Sequence, residues 1–283
     1  MALDIIPDIA TLRARLKTAP SIAFVPTMGN LHAGHIHLVK LAKQHAQCVV
    51  VSIFVNPLQF GANEDLASYP RTLAEDCEKL QAAGADIVFT PSVTEMYPTV
   101  QTMRVTPPPI ANELCGAARP GHFDGVATVV LKLFNIVQPQ VALFGKKDYQ
   151  QLFIIRELVH QFNLPIDIIA GDTQREDSGL ALSSRNGYLS SAQKLEAQRL
   201  YRTLNMIVDN VQKGHHDYVA IEAQSSQYLT QLGWIVDYIS IRSAATLLPA
   251  SATDTELVVL AAARQGNTRL IDNIEFTRSF AST

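Results

Sequence analysis

In the first half of the chain, short continuous apolar runs alternate with stretches whose apolar positions recur every three to four residues. Ser21–Pro26 reads as a buried strand. Cys48–Phe54 (CVVVSIF) is β-branched and unbroken, the mark of a strand covered on both faces. His35–His45 reads as a helix with Ile36, Val39 and Leu41 on its apolar face, and Thr72–Ala83 as a second helix ending near Gly84. Asp86–Thr90 is a third strand, stopped by Pro91. Val126–Val137 predicts a helix, Val141–Phe144 a strand, Tyr149–Phe162 a helix and Ile166–Ala170 a strand. This β-α-β-α order predicts an α/β fold, a parallel sheet with helices on both faces and right-handed crossovers. Ligands bind such sheets beyond the carboxyl ends of the strands, so the loops after Pro26, Phe54 and Phe144 are the ones to inspect.

The pattern changes after about Asp172. Ser190–Lys213 and Tyr218–Leu232 read as helices, and Ile235–Ile241 and Glu256–Ala263 as strands paired antiparallel, a small α+β module. The division expected is 1–173 and 174–283. Gly171–Gly187, rich in Gly, Ser, Asp and Arg, suits a linker that also touches ligand.

Composition narrows the class. At 283 residues, 47% hydrophobic and 17% charged, the chain is globular rather than disordered. A net charge of −3 gives no electrostatic footprint for nucleic acid or an anionic membrane, so any phosphate site must be local. No apolar run reaches the ~18 residues of a membrane span, and Met1–Pro20 lacks a signal-type core, which points to a cytoplasmic protein. Cys48, Cys77 and Cys115 are too scattered for a zinc site or a disulfide framework and are expected to be buried thiols.

Four segments carry the chemistry. Pro26–His35 (PTMGNLHAGH) lies at a strand-to-helix junction, where free N–H groups and the helix dipole favour an anion. Gly29 and Gly34 let backbone approach a phosphate, and His32 and His35 can both donate to phosphate oxygens; each histidine taken alone also fits a capping or core role. After the second strand, Asn56 and Gln59 in FVNPLQFG can hydrogen-bond a hydroxyl or carboxylate. In Gly145-Lys146-Lys147-Asp148, a lysine can neutralise phosphate, Asp148 sits at a helix N-cap position, and Gln151 lies one turn on. Leu182-Ser183-Ser184-Arg185 offers hydroxyls and a guanidinium, a clamp for phosphate. Glu75 and Asp76 are a carboxylate pair that fits either Mg²⁺ or a solvated helix face.

The early His-x-Gly-His loop and the late Ser/Arg loop resemble the nucleotidylyl-transferase superfamily. Within it, residues 26–35, FVNPLQFG (54–61), YPRT (69–72), RPGHFDGV (119–126), FGKKDYQQ (144–151) and GLALSSRN (179–186) together resemble the pantoate–β-alanine ligase family. The resemblance implies a Rossmann-like first domain, a smaller C-terminal lid domain and a homodimer. It also implies an ATP-dependent condensation of pantoate with β-alanine through a pantoyl adenylate, with Mg²⁺. By the same resemblance, ATP would contact Met28, Gly29, Asn30, Leu31, His32, Ala33, Gly34 and His35, with His35 as proton donor. Further ATP contacts would be Gly145, Lys146, Lys147, Asp148, Gln174, Leu182, Ser183, Ser184 and Arg185. Gln59 and Gln151 would hold pantoate, Gln59 would also meet β-alanine, and Glu75 and Asp76 would lie near the metal. Arg119 and His122 belong to a segment expected to cover the site. Lys146, Gln174 and Ser178 depart from residues common in the family. The runner-up reading is a nucleotidylyltransferase acting on a phosphate-bearing acceptor, for which more Arg and Lys would be expected at the acceptor pocket. A nucleotide-binding module that has lost catalysis is the non-enzymatic alternative.

Overall fold

Unbroken apolar runs make the central strands, because both of their faces are covered. The computed structural model of the chain describes residues 3–61, 64 and 66–278. It opens with β1 (Asp4–Ile6), α1 (Ile9–Leu16), β2 (Ile22–Thr27), α2 (Ala33–Ala42), β3 (Cys48–Ile53), α3 (Leu73–Ala83) and β4 (Ile87–Phe89). The short helices α4 (Val93–Met96) and α5 (Cys115–Ala118) lead to α6 (His122–Val137), β5 (Val141–Gly145), α7 (Tyr149–Gln161) and β6 (Asp167–Gly171). The six strands form one parallel sheet in the order β1-β4-β3-β2-β5-β6. Alternate residues of β2 and β3 enter two different cores: Phe24 and Val50 on one face, Ala23, Val25, Val49 and Val51 on the other. That two-sided burial is what their apolar continuity encodes.

Strand order reverses between β2 and β5, which pair directly. A crevice opens at such a reversal, because the connections leaving the two strands go to opposite faces. The loops after β2 and β5 therefore share one crevice.

The rest of the chain forms α8 (Ser191–Gln212), α9 (Tyr218–Gln231) and an antiparallel sheet of β7 (Ile235–Ser243), β8 (Glu256–Gln265) and β9 (Thr268–Thr277). A capping box between Ser190 and Gln193 starts α8. On β8, Leu257, Val259, Ala261 and Ala263 face the core shared with α8 and α9. Val258 and Leu260 face the other way, into the core of the large sheet. The small sheet thus packs on both neighbours.

The sequence pattern misses β1, α1 and β9. β1 has only three residues, α1 buries only Leu12 and Leu16, and the apolar alternation of β9 is broken by Asp272 and Asn273. α6 starts at His122, four positions before the expected Val126, because His122 and Phe123 are already buried. Of the three free cysteines, only Cys48 is buried, which corrects the expectation for Cys77 and Cys115.

The 3-10 turn Pro57–Gln59 lies against the start of α6 at Gly125. A Cβ at Gly125 would sit 2.2 Å from the Leu58 carbonyl oxygen and 2.6 Å from the Gln59 nitrogen, and backbone cannot yield as a flexible side chain does. Gly125→Ala is therefore expected to destabilise the fold by about 1–3 kcal/mol, the usual cost of overpacking. A lowered urea midpoint at unchanged m checks this; an unchanged midpoint contradicts it.

Candidate active site

The loop that joins β2 to α2 is shaped by a helix distant in sequence. Asp76 on α3 is fully buried. One of its oxygens accepts from the Asn30 N–H at 2.8 Å and the Thr72 hydroxyl at 3.1 Å, the other from the Leu31 N–H at 2.7 Å. Lys79, one turn on, donates to the Leu31 carbonyl at 2.9 Å. Gly29 holds φ +84°, and a Cβ there would lie 3.0 Å from Ile53 and 3.2 Å from Asp76, so a side chain is excluded by conformation and by space together.

This corrects two expectations. Asp76 is neither a solvated residue nor a companion of Glu75, which is exposed: adjacent helical positions point about 100° apart, at 3.6 residues per turn. The cradle of free loop N–H groups is also reduced, since those of Asn30, Leu31, His32 and Gly34 all bond within the protein. Gly34 is covered by the His32 ring, 2.9 Å from where a Cβ would stand.

The donors come from side chains instead. His32 is the N-cap of α2, and its Nδ1 accepts from the Gly34 N–H at 3.1 Å. His35 reciprocates, its Nδ1 accepting from the His32 N–H at 3.3 Å. A neutral imidazole with an acceptor at Nδ1 carries its proton on Nε2. The capping box thus fixes both tautomers and leaves two Nε2–H donors, on rings whose centroids are 4.1 Å apart. Burial lowers the pKa of His32 to about 3, helped by His35 and Lys147. Burial also lowers that of His35 to about 4, with Lys147 and Lys79 adding to it and Asp148 opposing. Both rings are neutral at pH 7.

Gln59 sits across the crevice, nearly buried. Its Oε1 accepts from Asn56 Nδ2 at 3.1 Å, and its Nε2 lies 3.1 Å from the Met28 sulfur. Asn56, 1% exposed, also donates to the Gly125 carbonyl and accepts from the Tyr97 hydroxyl at 2.8 Å. Asn56 therefore orients Gln59 rather than meeting a ligand. His122 bridges Arg119 (2.9 Å) and the Gln59 carbonyl (2.9 Å), which requires an Nδ1–H donor and an Nε2 acceptor. Burial, then Arg119, lowers its pKa to about 4. Arg119 forms a bidentate pair with Glu64, which no sequence feature marks.

The expected residues converge. A cavity of 230 Å³ is bordered by Met28, His32, Gly34, His35, Gln59, Gly145, Lys147, Asp148, Gln151, Gln174 and Leu182–Arg185, over an apolar wall of Val126, Val129, Val130 and Leu133 from α6. That wall and Tyr69 were missed, although the i, i+3, i+4, i+7 spacing is readable in α6. A neighbouring cavity of 470 Å³ shares Lys147, Asp148, Gln151, Ser183 and Arg185 with it. Ser184 donates to the Asn30 carbonyl at 3.2 Å, which ties the late loop to the early one. Gln150, beside Gln151, is turned away to hold Cys115, Ile110 and Glu113 backbone.

Gly29, Asn30, Leu31 and Ala33 do not border either cavity, and neither does Lys146. Lys146 pairs with Asp172 and Glu275, each at 2.9 Å, so its charge serves an ion-pair network and not the crevice. Asp148 occupies the N-cap position of α7 but makes no capping bond. Its carboxylate faces the crevice, 3.7 Å from Lys147. Enclosure pushes its pKa up, but Lys147 and Arg185 outweigh that and hold it below the ordinary value.

Known proteins match the chain along nearly its whole length. The sequence model described as pantoate-beta-alanine ligase matches residues 4–275. The chain belongs to the pantoate–β-alanine ligase family. Within that family it is 83% identical over 277 residues to a pantothenate synthetase of Methylobacillus flagellatus, covering 98% of this chain and 100% of the relative. A solved pantothenate synthetase of Thermus thermophilus superposes with a TM-score of 0.90 at 43% identity, over 96% of this chain and 98% of that one. A pantoate-beta-alanine ligase of Francisella tularensis, solved complexed with beta-gamma ATP and beta-alanine, superposes with a TM-score of 0.82 at 36% identity, over 96% and 97%. The chain is thus an enzyme of the ligase class, in pantothenate biosynthesis. Among the described residues, no helix is long and apolar enough to cross a membrane.

Glu75 and Asp76 do not fit a Mg²⁺ site in this ligase. Both Asp76 oxygens are taken by N–H and O–H donors, and no three His, Cys, Asp or Glu side chains converge among the described residues.

Three neutral imidazoles, His122 buried and His32 and His35 partly so, predict a pH dependence. In the unfolded chain each takes up a proton near pH 6.5; in the folded chain His32, His35 and His122 resist protonation to about pH 3–4. Between those limits the unfolded state binds more protons, so stability falls as the pH drops from about 6.5 towards 4. A triple variant, His32→Asn, His35→Asn and His122→Asn, is expected to show a shallower fall of Tm over that range. Equal slopes in the two proteins contradict the assignment.

Proposed function

We propose that the chain joins pantoate to β-alanine in two steps at this one crevice. A pantoate carboxylate oxygen attacks the α-phosphorus of ATP, the bond to the β-phosphate breaks, and pyrophosphate leaves. The amine of β-alanine then attacks the acyl carbon of the pantoyl adenylate, the acyl–oxygen bond breaks, and AMP and pantothenate are released. A carboxylate is a poor acyl donor, and adenylation turns its oxygen into a good leaving group.

The observation that carries this reading is the pair of Nε2–H donors fixed by the His32/His35 capping box, facing a cavity that also holds Lys147 and the Gln59 and Gln151 amides. Neutral donors stabilise charge that grows on phosphate oxygens without repelling Lys147 beforehand. Lys147, Ser183, Ser184 and Arg185 supply the remaining charge and donors for the triphosphate. Two amides form a polar, uncharged acceptor pocket, suited to a hydroxy acid, and Gln59 would also meet β-alanine. The Francisella relative, solved with beta-gamma ATP and beta-alanine, supports both substrates. The nucleotidylyltransferase alternative expects a cationic acceptor pocket, but Gln59 is flanked by Met28 and Asn56, and nearby Arg119 is already paired with Glu64.

Pyrophosphate exchange into ATP is expected to require pantoate, and AMP release to require β-alanine as well. Exchange independent of pantoate overturns the proposal. His35→Ala is expected to slow exchange by about 10²–10³, the scale for losing one transition-state donor; a near-normal rate assigns His35 a capping role alone.

A further inference from the structure

The turn that carries Lys147 is gripped from the C-terminal sheet. Asn273 on β9 is 6% exposed, and its side-chain nitrogen lies 2.9 Å from the Lys146 carbonyl oxygen and 2.9 Å from that of Lys147. Both partners only accept, so the amide must present its NH₂ to them, and its two hydrogens are both used. Asn273 is itself immobilised. The neighbouring Asp272, 4% exposed, accepts its N–H at 2.8 Å and takes a bidentate pair from Arg175 at 2.7 and 2.9 Å. Arg175 also donates to the Asn273 carbonyl at 3.3 Å and stacks on Tyr201 at 3.8 Å. The chain Arg175–Asp272–Asn273 thus ends on the backbone on either side of the Lys147 Cα.

Other contacts already join β9 to this turn. Glu275 accepts from Lys146 at 2.9 Å and from the Tyr149 hydroxyl at 2.9 Å, and Val258 and Leu260 anchor the small sheet in the large core. Loss of the Asn273 amide therefore leaves the sheet in place and frees only the carbonyls at 146 and 147.

We propose that Asn273 is a positioning residue for phosphoryl chemistry: through these two bonds it sets the direction in which Lys147 enters the crevice. The inference rests on the phosphate role of Lys147 given above. A lysine is a point charge on a flexible stem, so its aim depends on its backbone anchor. Misplacement of a reacting group by about 1 Å can cost on the order of 10²-fold in rate.

A double-mutant cycle on pantoate-dependent pyrophosphate exchange tests this. Asn273→Ala is expected to slow exchange about ten- to a hundredfold. Added to Lys147→Ala, it is expected to slow exchange no further, because the group it aims is gone. Asn273→Asp, equal in shape but without donors, is expected to be at least as slow as Asn273→Ala. Losses that multiply in the double variant indicate a merely structural role and overturn the inference, as does a near-normal rate for either Asn273 variant. If Lys147→Ala alone leaves exchange intact, the phosphate role of Lys147 falls, and the inference falls with it.

Discussion

One buried carboxylate organises the crevice. Asp76 is fully buried, and three hydrogen bonds offset its desolvation, two from loop N–H groups and one from Thr72, with the Lys79 ammonium 4.0 Å away. Hydrogen bonds to a charged acceptor contribute about 1.5–3 kcal/mol each, and loss of the acceptor would also strand the N–H groups of Asn30 and Leu31, the latter buried. The loop after β2 is consequently set by α3, which grips Leu31 at both its N–H and its carbonyl. With Asn30 and Leu31 fixed, His32 falls at the N-cap of α2 and His35 one turn later. The geometry of the two imidazoles follows from that placement.

Division of labour follows too. Backbone N–H groups of the loop hold the loop, and the imidazoles are left to face the crevice. Each imidazole spends Nδ1 on the backbone and keeps Nε2–H for the crevice. The apolar wall from α6 lowers the local polarity in which those donors act, which strengthens each interaction with a developing charge. Asn56 performs the same service for Gln59 that Asp76 performs for the loop: a buried polar side chain, fully engaged, that aims another.

The sequence makes the large sheet legible because β2 and β3 are apolar on both faces, and that pattern has few other solutions. The crevice is legible because its donors lie in the loops after β2 and β5, which a parallel sheet must bring together. What is not legible depends on contacts between distant segments. Burial of Asp76 requires a loop far upstream to close on α3, with Leu31 and Asp76 45 positions apart, and local periodicity marks only its exposed neighbour Glu75 correctly. Lys146 and Lys147 look alike in sequence; Asp172 and Glu275 claim one and leave the other to the crevice. β9 escapes the strand pattern because Asp272 and Asn273 interrupt it, and those two are the residues that reach out of the sheet to Arg175 and to the Lys147 turn.

The chemistry of the crevice turns on the protonation of two rings. Nitrogen-detected NMR of the imidazoles of His32 and His35, in the protein at pH 7, measures it directly. Both are predicted to be neutral, with the proton on Nε2 and an unprotonated Nδ1. A doubly protonated ring at either position, or a proton on Nδ1, would contradict the assignment of these histidines as neutral donors to the crevice.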